Sequence, residues 1–308
     1  MKIEAMVVPK MMIISAFLLI FLLLSATPAH AQQGLGYSIR VIDPNNRLGA
    51  DGELVKLNLI AAIREWAQYL DRVAALDIEV RVLDHTVSGR FGGRSECGVW
   101  CDYNGQKVVE EGAPHKMRTG EDANGAKADV IIDLEPEFMR RSYWIDPEPF
   151  QRTTAVPRNK IDLITAFAHE LGHAFGINGR RDLMTGEVRA GDSPSLFDAH
   201  MIDPTSSTPA FRGPATNALY GADLPLTYFR QSDATISFTS SGRQYRAGIS
   251  NSQNFYHYGR YTVPNESPLS LFGLMAGGWP YPNPSQGLRI PVGRLDVAIL
   301  RDLGVPTR

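Results

Sequence analysis

Cysteine, net charge and repeated motifs are all scarce in this sequence. The 308 residues include two cysteines, and 31 basic residues nearly balance 33 acidic ones, which gives a formal net charge of -2. No basic run is present, which argues against nucleic acid or an anionic membrane surface as a partner. No internal repeat or heptad array occurs, so solenoid and coiled-coil architectures are excluded. The hydrophobic content of 44% is that of a globular chain with a sizeable core.

One long apolar run lies near the N-terminus, at residues 11–26. Lys2 and Lys10 precede it, and the small residues of Ala29-His30-Ala31 follow it at the spacing of a cleavage site. This pattern predicts a secretory signal peptide over residues 1–31, cleaved after Ala31, and export to the periplasm or the medium. An uncleaved membrane anchor is the alternative, although the run is short for a membrane span.

Hydrophobic periodicity predicts most of the secondary structure in the first half of the chain. Alternating residues predict strands at 37–42, 78–82 and 128–134, and a 3–4 spacing from Leu57 to Leu70 predicts a long helix. Residues 86–127 are rich in Gly, Ser, Asp and Lys, which predicts a long functional or mobile connection. A hairpin is predicted around Ser240-Ser241-Gly242, and a last helix at 295–304.

This order of elements is typical of a sheet with two helices packed on it, and we predict an α+β fold. No linker is evident, so residues 32–308 are expected to form a single domain. Its upper part would span residues 32–176, and an irregular lower part, residues 177–308, would end in the C-terminal helix.

The strongest chemical pattern in the sequence is His169-Glu170-Leu171-Gly172-His173, an HExxH motif. Apolar residues at helical spacing surround it, and Asn159 with Asp162 predicts an N-terminal cap. On a helix, His169 and His173 lie one turn apart on one face, so both imidazoles can bind one zinc ion at about 2.0–2.1 Å. Glu170 is then placed to take a proton from a water on the metal. Two structural histidines would be the alternative interpretation.

A third zinc ligand is missing at the nearest expected position. A catalytic zinc needs three protein ligands and an open site, but the pattern HExxHxxGxxH fails because residue 179 is glycine. The downstream glutamates, Glu187 and Glu266, lie in Gly/Pro-rich sequence that does not predict a helix. The residues by themselves leave His200, His257 and Asp182 open as candidates, together with another residue or no third ligand.

A resemblance to a known family narrows this choice. The order of Val156-Pro157, residues 162–176, Ser195-Leu196-Phe197-Asp198, His257, Leu274-Met275 and residues 297–304 resembles the secreted bacterial relatives of the leishmanolysin-type metzincin peptidases. The resemblance covers roughly residues 155–305. It implies that His257 is the third zinc ligand and that Met275 forms a methionine turn beneath the metal. It also implies a metzincin-like fold with the zinc in a cleft between the two parts of the domain.

The expected function is a secreted zinc endopeptidase that acts on protein or peptide substrates. His169, His173 and His257 would hold Zn²⁺, and Glu170 would act as the general base. Tyr256, Tyr258, Tyr261 and Tyr281 are candidates for assisting the oxyanion. Two other functions stay open: a non-catalytic binding or adhesive protein on a metalloprotease scaffold, and a zinc hydrolase of a non-peptide amide.

The cysteine pair lies within Glu96-Cys97-Gly98-Val99-Trp100-Cys101. In an oxidising compartment this spacing favours one local disulfide. The alternative is a latency switch in which one thiolate binds the zinc.

Overall fold

The computed structural model describes residues 36–71, 74–84, 91–182, 185–188, 190–205, 209–226, 256–258, 273–275 and 287–308, and the backbone of 235–240 and 243–248. The predicted signal peptide, residues 1–31, lies outside the described residues. Within the described part of the chain, no helix combines the length and apolar character needed to cross a membrane.

The described residues form seven α-helices and thirteen strands, most of them short. In order they are β1 (Tyr37–Ile42), α1 (Gly52–Ala67), β2 (Leu76–Val82), β3 (Phe91–Ser95), β4 (Gly98–Tyr103), β5 (Gln106–Glu111), α2 (Gly112–Thr119), β6 (Val130–Leu134), α3 (Pro136–Ser142), β7 (Tyr143–Trp144), β8 (Ile161–Asp162), α4 (Leu163–Ala174), α5 (Leu196–Ala199), β9 (Met201–Ile202), β10 (Ala210–Phe211), α6 (Pro214–Tyr220), β11 (Leu224–Pro225), β12 (Thr235–Ser240), β13 (Arg243–Gly248) and α7 (Arg294–Asp302). This composition confirms the predicted α+β class.

The main sheet has four strands in the order β1-β2-β6-β3. The first three are parallel, whereas β3 runs antiparallel to β6 at the edge. In the centre, Ile78 pairs with Val130 and Val80 with Ile132. Every residue of β6 is buried, and the strand lies between β2 and β3 in the sheet. The strands predicted at 37–42, 78–82 and 128–134 are therefore confirmed.

Helices α1 and α4 are the two longest helices in the described residues, with 16 and 12 residues. They pack against each other through apolar side chains, and Trp66 of α1 is fully buried between them. Its indole Nε1–H donates to the carbonyl oxygen of Ala168 in α4 at 2.8 Å, so the large ring leaves no unpaired donor in the core. This contact fixes the position of α4 next to the sheet.

The second half of the chain consists of short elements and ends in α7. The predicted hairpin is confirmed as the antiparallel pair β12 and β13, and the predicted C-terminal helix is confirmed as α7. Leu295, Ile299 and Leu300 of α7 are buried in the same core as α4. The C-terminal helix thus belongs to the core that positions the HExxH helix.

In the region predicted as a long connection, residues 86–127, most of the stretch from residue 91 to 119 forms regular structure. It contains β3, the hairpin of β4 and β5, and α2. The prediction was wrong because the glycines and charged residues hide the alternation. The hairpin turn uses Asn104 and Gly105, both with positive φ, and β3 includes Gly92 and Gly93.

The structure also corrects the predicted disulfide, because Cys97 and Cys101 are free thiols. Cys101 lies in β4, which is extended over Gly98–Tyr103. Four residues of extended chain span roughly 13 Å, whereas a disulfide requires Cα atoms closer than about 7 Å. Burial raises the pKa of both thiols, which keeps them protonated. Within the described residues, neither thiol belongs to the metal-ligand cluster, which counts against the latency switch.

Candidate metal centre

The apolar face of helix α4 is buried in the core, and this burial determines where the HExxH side chains lie. Asp162 is the N-cap, and its carboxylate accepts from the Thr165 backbone N–H at 3.1 Å. Phe167, Leu171 and other apolar residues of the helix are fully buried. This burial fixes the rotation of the helix, so that His169, Glu170 and His173 leave the apolar stripe. Gly176, with a φ of 114°, then turns the chain away from the helix, as the sequence predicted.

Three imidazoles come together beside this helix. One ligand atom from each of His169, His173 and His257 lies within 4.8 Å of the others, so the cluster could hold a metal ion. His169 Nε2 and His257 Nε2 are 3.1 Å apart. Nitrogens at about 2.1 Å from one tetrahedral metal would be about 3.4 Å apart, which is close to this distance. The structure therefore brings together the residue pair from the helix and a histidine more than 80 positions away.

Backbone carbonyls select the tautomers of the two helical histidines. His169 Nδ1 lies 2.8 Å from the carbonyl oxygen of Leu274, and His173 Nδ1 lies 2.8 Å from that of Ile177. Because a carbonyl only accepts, both Nδ1 atoms carry the proton and both Nε2 atoms present a lone pair. Lone pairs aimed at one point repel each other unless a cation lies between them. The donor set thus fits a divalent metal.

Burial also keeps these imidazoles neutral. It lowers the pKa of His169 to about 3, with a further contribution from the neighbouring His173. Burial likewise lowers the pKa of His173. A neutral imidazole is the form that binds a metal, so both side chains are ready to do so at neutral pH.

Glu170 lies against the edge strand β3. Its Oε2 accepts from the Gly93 backbone N–H at 2.7 Å. Burial raises the pKa of this carboxyl to about 8, and the Gly93 hydrogen bond lowers it. A Cβ atom on Gly93 would lie 2.3 Å from the Glu170 carbonyl oxygen, so only glycine allows this approach. The sequence analysis missed Gly93, because a strand glycine gives no sign of its distant partner.

Met275 packs against the helix beneath the histidines. It is fully buried, and its Sδ lies 2.5 Å from where a Cβ of Gly172 would be. The glycine inside HExxH therefore allows the methionine to approach the helix. Met275 also follows Leu274, whose carbonyl accepts from His169. The Met275 turn predicted from the resemblance thus contacts the predicted helix.

The other candidate ligands lie elsewhere. His200 Nδ1 donates to the Arg212 carbonyl at 2.7 Å, and its ring stacks on Phe211 with the centroids 5.0 Å apart. Asp182 accepts from the Thr185 backbone N–H at 3.0 Å. Neither belongs to the histidine cluster of the described residues.

The predicted tyrosines make structural contacts where they are described. The Tyr256 hydroxyl accepts from the Arg181 backbone N–H at 2.8 Å, and the Tyr258 hydroxyl donates to Asp296 Oδ1 at 2.8 Å. Tyr261 and Tyr281 lie outside the described residues. A further tyrosine, Tyr143, has its pKa raised by burial and by the nearby charge of Glu170.

Comparison with known proteins gave no match to any family model, curated protein or solved structure.

Proposed function

We propose that this protein is a zinc-dependent endopeptidase. The observation that carries the proposal is the cluster of His169, His173 and His257 next to the carboxylate of Glu170. Three imidazole nitrogen donors suit zinc, which uses three protein ligands in catalytic sites and keeps a fourth position open. A carboxylate next to such a site is the group that hydrolysis requires as a general base.

The roles of the residues follow from their positions. When bound, zinc would polarise the scissile carbonyl and lower the pKa of a bound water to about 7. The charge of a bound zinc would lower the raised pKa of the Glu170 carboxyl and leave it ionised. Glu170 would then accept the proton of the attacking water and give it to the leaving amine. The Gly93 N–H holds one carboxylate oxygen, which leaves the other oxygen to face the reacting water. The Leu274 and Ile177 carbonyls keep the ligand nitrogens oriented.

The position of β3 supports a peptide as the substrate. This strand is the last in the sheet order of the described residues, and its Gly93 contacts the base. An extended peptide can pair with the side of such a strand that β6 does not occupy, which would carry its backbone past Glu170. A small amide would not use this edge.

Kinship with the leishmanolysin-type metzincins is part of the proposal. It rests on the order of HExxH helix, Gly176 turn, His257, Met275 and C-terminal helix, together with the contact of Met275 on Gly172. The metzincin-like arrangement of two subdomains around a zinc cleft is proposed on the same grounds. Export through the signal peptide at residues 1–31 is likewise a proposal, and it would give a periplasmic or extracellular enzyme.

Casein hydrolysis by the purified protein tests this function. We expect hydrolysis that a chelator abolishes and that zinc restores. Glu170→Gln should bind zinc like the wild type and lose activity by about 10²-fold or more, because it keeps the ligands and removes the base. Zinc binding without hydrolysis of any protein substrate would instead favour the non-catalytic binding protein. Hydrolysis of small amides alone would favour the non-peptide hydrolase.

A further inference from the structure

Asp296 carries a fully buried carboxylate in the first turn of α7. Its Oδ1 accepts from the Tyr258 hydroxyl at 2.8 Å and from the Met275 backbone N–H at 3.0 Å. Its Oδ2 accepts from the Gly293 backbone N–H at 2.7 Å, which closes the N-terminus of the helix. One side chain thus joins the segments around residues 258, 275 and 293.

Two of these segments contact the histidine cluster directly. Tyr258 follows His257, and Met275 follows Leu274, whose carbonyl accepts from His169 Nδ1 at 2.8 Å. The Tyr258 backbone N–H also donates to the Met275 carbonyl at 3.1 Å. The carboxylate of Asp296 therefore binds both the segment that supplies His257 and the segment that orients His169.

The packing around Tyr258 accommodates the hydrogen bond from its hydroxyl to Asp296. A Cβ on Gly273 would lie 1.6 Å from the Tyr258 hydroxyl oxygen, so the glycine keeps a path open for this hydroxyl. A buried carboxylate is costly unless donors surround it, and its donors are costly to leave unpaired. The Asp296 carboxylate, the Tyr258 hydroxyl and the Met275 backbone N–H therefore hold each other in one geometry.

We propose that Asp296 is a positioning residue of the metal centre. It sets the distance between His257 and helix α4 through Tyr258, and it orients His169 through the Met275 turn. This inference rests on the proposed zinc site. Residues that orient metal ligands from behind typically contribute about 10–100-fold to metal affinity.

Helix α7 offers a matched control in Asp302. Its two carboxylate oxygens accept from the backbone N–H groups of Ala215 and Thr216, each at 2.8 Å. Like Asp296, Asp302 lies in α7 and accepts from backbone N–H groups. Those N–H groups belong to the first turn of α6, a helix that contains none of the three histidines. Loss of Asp302 should therefore cost stability without affecting the histidines.

The experiment measures zinc affinity by competition with a chelating dye, alongside thermal unfolding of the same samples. We expect Asp296→Asn to bind zinc roughly 10–100-fold more weakly than the wild type. We expect Tyr258→Phe, which removes one hydrogen bond, to weaken zinc binding by about 5-fold. Asp302→Asn should unfold at a lower temperature and keep the wild-type affinity.

Each outcome decides the inference. Equal zinc affinities of Asp296→Asn, Asp302→Asn and the wild type would overturn the role of Asp296 and leave the metal centre intact. Failure of the wild type to bind zinc would overturn the metal centre and this inference with it. If Asp296→Asn does not fold, Tyr258→Phe decides, and wild-type affinity in that variant would overturn the inference.

Discussion

The contact between β3 and α4 predicts that alanine substitutions at two adjacent glycines, Gly92 and Gly93, have very different effects on stability and activity. A Cβ on Gly93 would lie 2.3 Å from the carbonyl oxygen, 2.7 Å from the carbonyl carbon and 2.8 Å from the Cβ of Glu170. A Cβ on Gly92 would meet no heavy atom within 4 Å. Gly93→Ala and Gly92→Ala therefore make the same chemical change in one strand, and only the first meets the HExxH helix.

The expected loss of stability and activity in Gly93→Ala follows from the distances between the added Cβ and the atoms of Glu170. An ordinary carbon–oxygen contact needs about 1 Å more than the space between the two backbones provides, and backbone atoms on both sides must move to supply it. Overpacking of this kind costs about 1–3 kcal/mol of unfolding free energy. A shift of about 1 Å at Glu170, the proposed general base, would reduce the rate about 10²-fold. Gly92→Ala should stay within about 0.5 kcal/mol of the wild type, because the added Cβ would meet no heavy atom within 4 Å.

Urea denaturation and casein hydrolysis of the two variants give the measurement. We expect Gly93→Ala to be less stable and far less active, and Gly92→Ala to match the wild type in both assays. Equal stability and activity of the two variants would show that β3 does not lie against Glu170. The geometry that places the base would then be wrong, even if the zinc ligands are correct.

Three other predictions test separate parts of the structure. His257→Ala should weaken zinc binding by orders of magnitude while His200→Ala should not, and equilibrium dialysis that gave the reverse order would move the third ligand to His200. Thiol titration of denatured, unreduced protein should find two reactive cysteines, and finding none would restore the disulfide. Burial raises the pKa of Glu111 from 4.5 to about 7. The stability that its protonated carboxyl gives to the folded state is therefore fully present below pH 4.5 and is lost as the pH rises to about 7. Relative to Glu111→Gln, the wild type should lose on the order of 3 kcal/mol of stability between pH 4.5 and about 8, and a constant difference across this range would refute the burial of the carboxyl.

The local elements were predictable where the hydrophobic pattern is strong. The sequence indicated β1, α1, β2, β6, α4 and α7 because each element buries one face or both, and that burial leaves a period in the sequence. The strands β3, β4 and β5 were missed because Gly92 and Gly93 contribute no side chain to the pattern and the hairpin is half-exposed. A strand of this kind gains its stability from neighbours that the local sequence does not reveal.

The two cysteines also show that the local sequence does not reveal how residues are placed in space. Their spacing and the predicted export favoured a disulfide, but pairing depends on the direction of the backbone between them. Because that backbone is the extended strand β4, the thiols are held apart.

By itself, the sequence determined the HExxH helix, its cap region, its glycine turn and therefore two of the candidate ligands and the candidate base. Those features depend on residues within one helix, where spacing alone fixes the geometry. Only the tertiary structure showed that His257, rather than His200 or Asp182, lies beside the two helical histidines, and only it revealed Gly93, Gly172 and Asp296 as neighbours of the site. The reason is that these contacts join segments up to about 100 residues apart, and such contacts are set by the packing of the whole core.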